Sequence, residues 1–428
     1  SISGEISTTQ YITVTGASFV ESVTQNRIQF QILDSDGVAD TSPAYVVMVD
    51  ATSPAAPSDL TASPVDWSAS NSFDLAWSNP TDLSGVAGAY YKLDSPPASP
   101  TDGAWVAGAG VNAINDVAVS GAGAHPVYVW LQDEAGNADP ANRAESTLRF
   151  DDLPPSPPTV FTSTTHTVAQ WSSDNTIEVA WSGATDAHSE VGGYAVLWNQ
   201  LPDTLPEPIT TTLETSATSP PLADGDNHYV HLRTSDAVGN WTAGALHLGP
   251  FYIQSAAPGP PQDLTADPSS WTNVNQFTLS WENPATAAGI AGAYYKLDSP
   301  PAFDTDGTWA PGEDLESIEG VSVSGDGVHP AYVWLKDGAG NVDVANRSST
   351  ELRLDTQRPG APTALTADPA GWSNDPHFSI SWVNPSDLSG IAGAYYKLDT
   401  EPTSSGDGVW ITTTNVITDI TITEEGRH

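Results

Sequence analysis

The 428-residue sequence has no cysteine, which excludes disulfides, thiolate metal sites and a cysteine nucleophile together. Basic residues are scarce: 12 Lys and Arg stand against 53 Asp and Glu, a formal net charge of −41. A surface of that sign repels phosphate, so nucleic acid and anionic lipid are not expected as partners. No apolar run is long enough to cross a bilayer and no leader pattern starts at Ser1. Membrane insertion is therefore not expected within these residues, and any export signal or anchor would lie beyond them. Long Leu/Glu/Lys stretches of helical period are missing too, whereas Thr, Ser, Val, Gly and Pro are plentiful, which points to an all-β chain.

Signatures of catalysis are absent as well: no nucleophile elbow, phosphate loop or His-Glu-x-x-His zinc pattern occurs. Of nine His, His228 and His231 stand three apart on an expected strand, so they face opposite sides and cannot share a metal. Paired carboxylates carry no signal for glycosidase chemistry in so acidic a chain. No enzyme is expected. The bland reading of the charge is a solvated acidic surface that keeps a long protein soluble.

What is present is repetition. Trp67 and Trp77, Trp171 and Trp181, Trp271 and Trp281, and Trp372 and Trp382 are four pairs ten apart, and the second member recurs after 104, 100 and 101 residues. Ala-Tyr-Tyr-Lys-Leu-Asp occurs at 89–94, 293–298 and 394–399, with a diverged copy at Tyr194-Ala195-Val196-Leu197. A third marker is Asp133-Glu-Ala-Gly-Asn137, Asp236-Ala-Val-Gly-Asn240 and Asp337-Gly-Ala-Gly-Asn341. The repeat is the size of one sandwich of roughly 100 residues.

One complete unit runs from Pro57 to Asp152. Ser58–Ala62 reads as a first strand, and Phe73-Asp74-Leu75-Ala76-Trp77 alternates so that Phe73, Leu75 and Trp77 share a face. The Tyr-Tyr-Lys-Leu-Asp strand follows a turn-rich loop, then Val127–Leu131 and a closing strand Thr147–Asp151. About seven short strands with turns between them are what an immunoglobulin-like sandwich needs.

Pro-x-Asp-Leu-Thr-Ala at 57–62 and 261–266, the strand Trp at 77, 181, 281 and 382, and Ser84-Gly-Val-Ala-Gly-Ala-Tyr-Tyr91 resemble fibronectin type III modules. Val-Trp-Leu-x-Asp-x-Ala-Gly-Asn at 129–137 and 333–341, with module ends such as Arg353-Leu-Asp-Thr-Gln-Arg-Pro359, resembles the related immunoglobulin-like repeats of large bacterial surface proteins. The resemblance covers nearly the whole chain. It implies tandem immunoglobulin-like (fibronectin type III-like) β-sandwiches in an elongated rod, extracellular or cell-surface, secreted and bacterial. Function follows from it only weakly, since the architecture hosts many roles.

Five segments are expected: 1–55, the back half of a module; 56–155, a module; 156–257, a divergent module; 258–358, a module; and 359–428, a front half. The linkers are short and Pro-rich, as in Asp152-Leu-Pro-Pro-Ser-Pro-Pro158, which favours semi-rigid connection. The divergent module lacks Tyr-Tyr-Lys-Leu-Asp and carries an acidic, Pro-containing insert from Pro202 to Pro221, a mark of either a private task or ordinary drift. For the half modules at the two ends two explanations stand: a window cut from a longer array, or head-to-tail joining with other copies by strand complementation.

Calcium is the one ligand to weigh; no cofactor is required. In the immunoglobulin-like topology Asp82, Asp133 and Asn137 share the pole where the linker enters with Asp50; Asp151, Asp152, Asp186 and Asp236 are the next such set, then Asp355 and Asp387. Three hard oxygen donors at a junction suit Ca²⁺, as in some bacterial adhesins that the repeats resemble. The competing reading is that Asp-x-Ala-Gly-Asn is a turn whose Asp bonds its own backbone. Ala285-Thr286-Ala287 replaces the loop Asp in the third module, and its linker has no Asp. Trp77, Trp181, Trp281 and Trp382 are expected in cores, and Trp105, Trp309 and Trp410 are also assigned to packing. The chain thus reads as a non-enzymatic spacer or cohesive rod that binds other copies of itself or a host or cell-surface ligand. The alternative is a set of accessory carbohydrate-binding or spacer modules of a secreted polysaccharide-degrading enzyme.

Overall fold

A computed structural model describes residues 16–412 and 415–428. Among these, strands and turns make up the chain apart from one 3-10 turn, Val344–Asn346, and no helix is long and apolar enough to cross a membrane. The architecture is all-β: immunoglobulin-like sandwiches in tandem.

The chain divides into two compact units. One holds the described residues up to Ser163 together with Val179–Ala217 and Tyr229–Leu248; the other holds Thr164–Glu178, Thr218–His228 and Gly249–His428. The divergent stretch contributes to both.

In the first unit, seven strands form a complete sandwich. Ser58–Ser63, Phe73–Ser78 and Ala113–Val117 make a three-stranded sheet; Ala138–Phe150, Gly123–Asp133, Val86–Leu93 and Ala104–Ala107 make a four-stranded one, in that order. Phe73–Ser78 alternates without a break, with Phe73, Leu75 and Trp77 buried and Asp74, Ala76 and Ser78 exposed. The period of two turns one side of each strand inward. Facing it, Ala89, Val127, Val129, Leu131, Leu148 and Phe150 close the core. The strands Gly123–Asp133 and Ala138–Phe150 are longer at both ends, or at the start, than the apolar runs 127–131 and 147–151 suggest. Backbone pairing, from Gly123↔Phe150 to Trp130↔Arg143, extends past the side chains that fill the core.

The recurrent hexapeptide is explained by this register. Ala89 and Tyr91 point inward; Tyr90 and Lys92 point outward, and Asp94 leaves the strand with φ 64°. Short polar side chains tolerate that left-handed conformation, and the Asp94 carboxylate lies 2.7 Å from His125 Nδ1. Outside, Trp130 stacks on Tyr90 with ring centroids 5.4 Å apart, and Trp105 leans on the same ring at 4.6 Å. The loop between them is fastened over this stack: Trp130 Nε1 donates to Pro100 O at 2.7 Å and Lys92 Nζ to Asp102 Oδ2 at 2.8 Å.

The same plan recurs in the second unit over Gln262–Leu354, with Trp334 on Tyr294 at 5.6 Å and Lys296 on Asp306 at 2.8 Å. Beyond it, Thr363–Asp368, His377–Val383 and Val416–Thr421 form a three-stranded sheet, and Ala394–Tyr396 pairs with Val409–Ile411. Trp382, expected in a core, is only half-buried there, and Trp372 is 91% exposed. Near the start, Arg27–Ile28 pairs with Tyr45–Val46, and Gln31–Leu33 with Ala39–Thr41. The remainder of segment 1–55, residues 1–15, lies outside the described residues.

In the divergent stretch, Val191–Asn199 pairs with Tyr229–Asp236 in the first unit, and Tyr194 packs on Trp181 with centroids 5.2 Å apart. No edge strand corresponds to Ala104–Ala107; a single bridge, Tyr194↔Thr212, stands in its place.

Candidate functional site: the linker junctions

Where a linker enters the next module, carboxylates converge. Asp50, Asp82 and Asp133 place one oxygen each within 4.8 Å of one another, and Asp151, Asp186 and Asp236 do the same. These are the sets read from the repeat, less Asn137 and Asp152. Asn137 contributes through its amide, as described below, and Asp152 is exposed and outside the group. Asp133, Asp151 and Asp236 are almost wholly buried.

Each carboxylate in the first set is tied to backbone. Asp133 Oδ1 accepts from Asn137 N at 2.8 Å and Oδ2 from Asn137 Nδ2 at 2.8 Å, closing the Asp-Glu-Ala-Gly-Asn turn, where Gly136 takes φ 92°. Asp82 Oδ1 accepts from Gly85 N at 3.0 Å. Asp50 Oδ2 accepts from Ser84 N at 2.9 Å, which joins the linker to the loop of the following sandwich. Burial pushes the Asp50 carboxyl up, and hydrogen bonds involving Ser84, Glu21 and Thr52 more than offset it, so the group sits below its ordinary value. The turn reading and the convergence of carboxylates thus hold at once: the N–H donors occupy part of each oxygen's acceptor capacity and leave further lone pairs.

The sequence did not reveal a second tie. Asn137 Nδ2 also donates to the linker carbonyl of Asp50 at 3.1 Å; Asn240 does so to Asp151 O at 2.8 Å, and Asn341 to Gln254 O at 2.6 Å. Asn142 and Asn346 hold Pro54 O and Pro258 O at 2.9 and 2.8 Å. The recurring Asn at the end of the turn was the available signal, and its partner, a main-chain oxygen, leaves no mark in side-chain identity.

The junction at Gln254 keeps the Asn tie and loses the carboxylates. Thr286 stands where Asp82 does, its Oγ1 buried without a hydrogen-bond partner, and Asp337 remains alone. At the next junction Asp355 Oδ2 and Asp387 Oδ1 share Ser389 N at 3.1 and 3.2 Å. Hydrogen bonds from Ser389, then Gln357, hold the Asp355 carboxyl below its ordinary value against burial and Asp326.

His228 and His231 lie on one strand, three apart as read, and each has a different partner. His228 Nε2 meets Ala223 O, whereas His231 is fully buried between His247 Nδ1 at 2.7 Å and Asn199 Oδ1 at 2.9 Å. Burial first, then the neighbouring His247, pushes His231 below its ordinary value. Trp77, Trp181 and Trp281 are buried core residues. Trp105, Trp309 and Trp410 each pack on Tyr90, Tyr294 or Tyr395 and remain 41%, 36% and 46% exposed.

No family model matches the chain, and no curated protein matches it. Among solved structures the chain is similar to the FN1-FN3 domains of chicken CNTN1, at 12% identity and a TM-score of 0.27, over 71% of this chain and 100% of that one.

Proposed function

We propose that the chain is a non-enzymatic repeat region of an extracellular or cell-surface protein, acting as a spacer whose linkers are built into the module that follows them. The observation that carries this reading is the repeated junction tie. Phe150 belongs to the core of one sandwich and Asp151, the next residue, is already held by Ser189 N at 3.1 Å and Asn240 Nδ2 at 2.8 Å. Leu354 and Asp355 repeat the transition, with Asp355 held by Ser389 N. A linker with no free residue between core and tie has nowhere to hinge. The cohesive role, with other copies or a surface ligand as partner, belongs to the same proposal.

A test uses the absence of native cysteine. Dyes placed through Ser120→Cys and Glu214→Cys report a distance by single-molecule energy transfer. A single narrow distribution is expected, broadening when Asp151→Ala with Asn240→Ala removes the tie; a broad distribution in the unaltered chain ends the spacer reading. Calcium is the ion that three converging carboxylates would take. Added Ca²⁺ should raise the melting temperature, EDTA should reverse it, and Asp133→Asn with Asp236→Asn should abolish it. Unchanged melting removes calcium and leaves the ties standing.

A further inference from the structure

The outward sheet face that carries the aromatic stack elsewhere is rebuilt in the divergent stretch. Ala195 and Arg233 pair where Tyr90 and Trp130 pair in the first sandwich. Over them runs the chain from Asn199 to Leu213, which holds the first part of the 202–221 insert and contains three prolines. It is anchored along its length: Asn199 Nδ2 donates to Thr204 Oγ1 at 2.7 Å, Arg233 Nη1 to Pro206 O at 3.2 Å, and Thr211 N to Tyr194 O at 2.8 Å.

Anchoring of this kind ordinarily turns apolar side chains inward. Here Leu201, Leu205, Ile209 and Leu213 are 64%, 48%, 67% and 74% exposed. Between them stand Asp203 and Glu207, both exposed, and no Lys or Arg occurs from Asn199 to Leu232. Four aliphatic side chains held out by a tied backbone have little ordering entropy left to lose, so covering them favours a complex.

We propose that this insert is a docking surface for a polypeptide segment in which aliphatic or aromatic residues alternate with Lys or Arg. Charge chooses the occupant. A second copy of the same surface would set Asp203 and Glu207 against their own kind, and an anionic lipid surface would be repelled. A basic, apolar segment satisfies both the carboxylates and the aliphatic side chains.

The probe is a synthetic peptide of alternating Leu and Lys, followed by fluorescence anisotropy against the full chain, with a Leu-Ser peptide beside it. Leu205→Ser with Ile209→Ser should weaken binding about tenfold, the equivalent of 1.4 kcal/mol. Asp203→Asn with Glu207→Gln should weaken it comparably and flatten its salt dependence, and the Leu-Ser peptide should bind wild type no better than this charge variant binds Leu-Lys. Glu282→Gln with Glu319→Gln, a pair in the second unit that changes net charge equally, should leave binding unchanged. The proposal is overturned if the second-unit pair weakens binding as much as Asp203 and Glu207 do, since the attraction is then general. It is overturned equally if the aliphatic pair has no effect, or if light scattering shows self-association that Leu205→Ser with Ile209→Ser abolishes.

Discussion

Two outward sheet faces of the first unit share a register and differ in their cover. On Val86–Leu93 and Gly123–Asp133, Tyr90 and Trp130 stack beneath a loop clipped by Lys92 and Asp102. On Val191–Asn199 and Tyr229–Asp236, the pair is Ala195 and Arg233, and Arg233 replaces the stack with hydrogen bonds to Pro206 O and Thr242 O. The inward faces stay buried although Tyr194 and Thr234 pair where Ala89 and Leu131 do, because both must fill a core. The outward faces were free to diverge, one toward a sealed aromatic layer and the other toward a polar anchor under an exposed apolar insert.

Breaking each cover should show the difference. Trp130→Ala removes a fully buried ring and should cost about 3–5 kcal/mol locally, read as lost amide protection over 94–107 in hydrogen exchange. Arg233→Ala takes a donor from the carbonyls of Pro206 and Thr242 and should cost less, about 1–3 kcal/mol, with the loss read over 200–213 and around 242. Equal effects would mean that the two covers are not different in kind.

A glycine substitution sharpens the comparison. A Cβ at Gly88 would overlap the Trp105 ring and the Val106 carbonyl, so Gly88→Ala should destabilise by about 1–3 kcal/mol and shift Trp105 fluorescence to the red. At Gly193 a Cβ would meet the side-chain ends of Thr210 and Leu213 and the Thr212 carbonyl, and the backbone stands at φ 157°, so Gly193→Ala should also destabilise, read by exchange over 200–213.

The smallest effect is in pH. Lys92 first, then Ala98 N–H, holds the Asp102 carboxyl below its ordinary value. The unfolded carboxyl therefore takes up a proton before the folded one, and the clip's contribution, present above pH about 4, is lost as pH falls through the lower folded value. For His231 burial works on the other charge type: the unfolded ring gains a proton below pH about 6.5 and the folded ring does so later, so stability falls from that pH downward. Protection factors should drop around 229–236 at a higher pH than around 94–107, and His231→Gln should remove the earlier drop.

Much of this was legible in the chain. Alternation in Phe73–Trp77 marked the strand and its inward face, and the recurrence of Trp77 at 181, 281 and 382 marked a repeat of sandwich size. The repeat also brought Asp50, Asp82 and Asp133 together on topology alone. Lys92 and Asp102 recur ten apart as Lys296 and Asp306 and as Lys397 and Asp407, a spacing that carried the clip in plain view. The ties from Asn137, Asn240 and Asn341 were hidden because they end on backbone oxygens, which no residue letter encodes. The His231–His247 contact was hidden for another reason: it joins residues 16 apart on separate strands, and only their register brings the rings together.

The central claim, that linkers are part of the module they precede, is tested most directly by ¹⁵N relaxation at Asp50, Asp151 and Gln254. Order parameters of about 0.85, equal to those of the strands Phe73–Ser78 and Phe277–Glu282, are predicted. Values below about 0.6 at these three amides would contradict it.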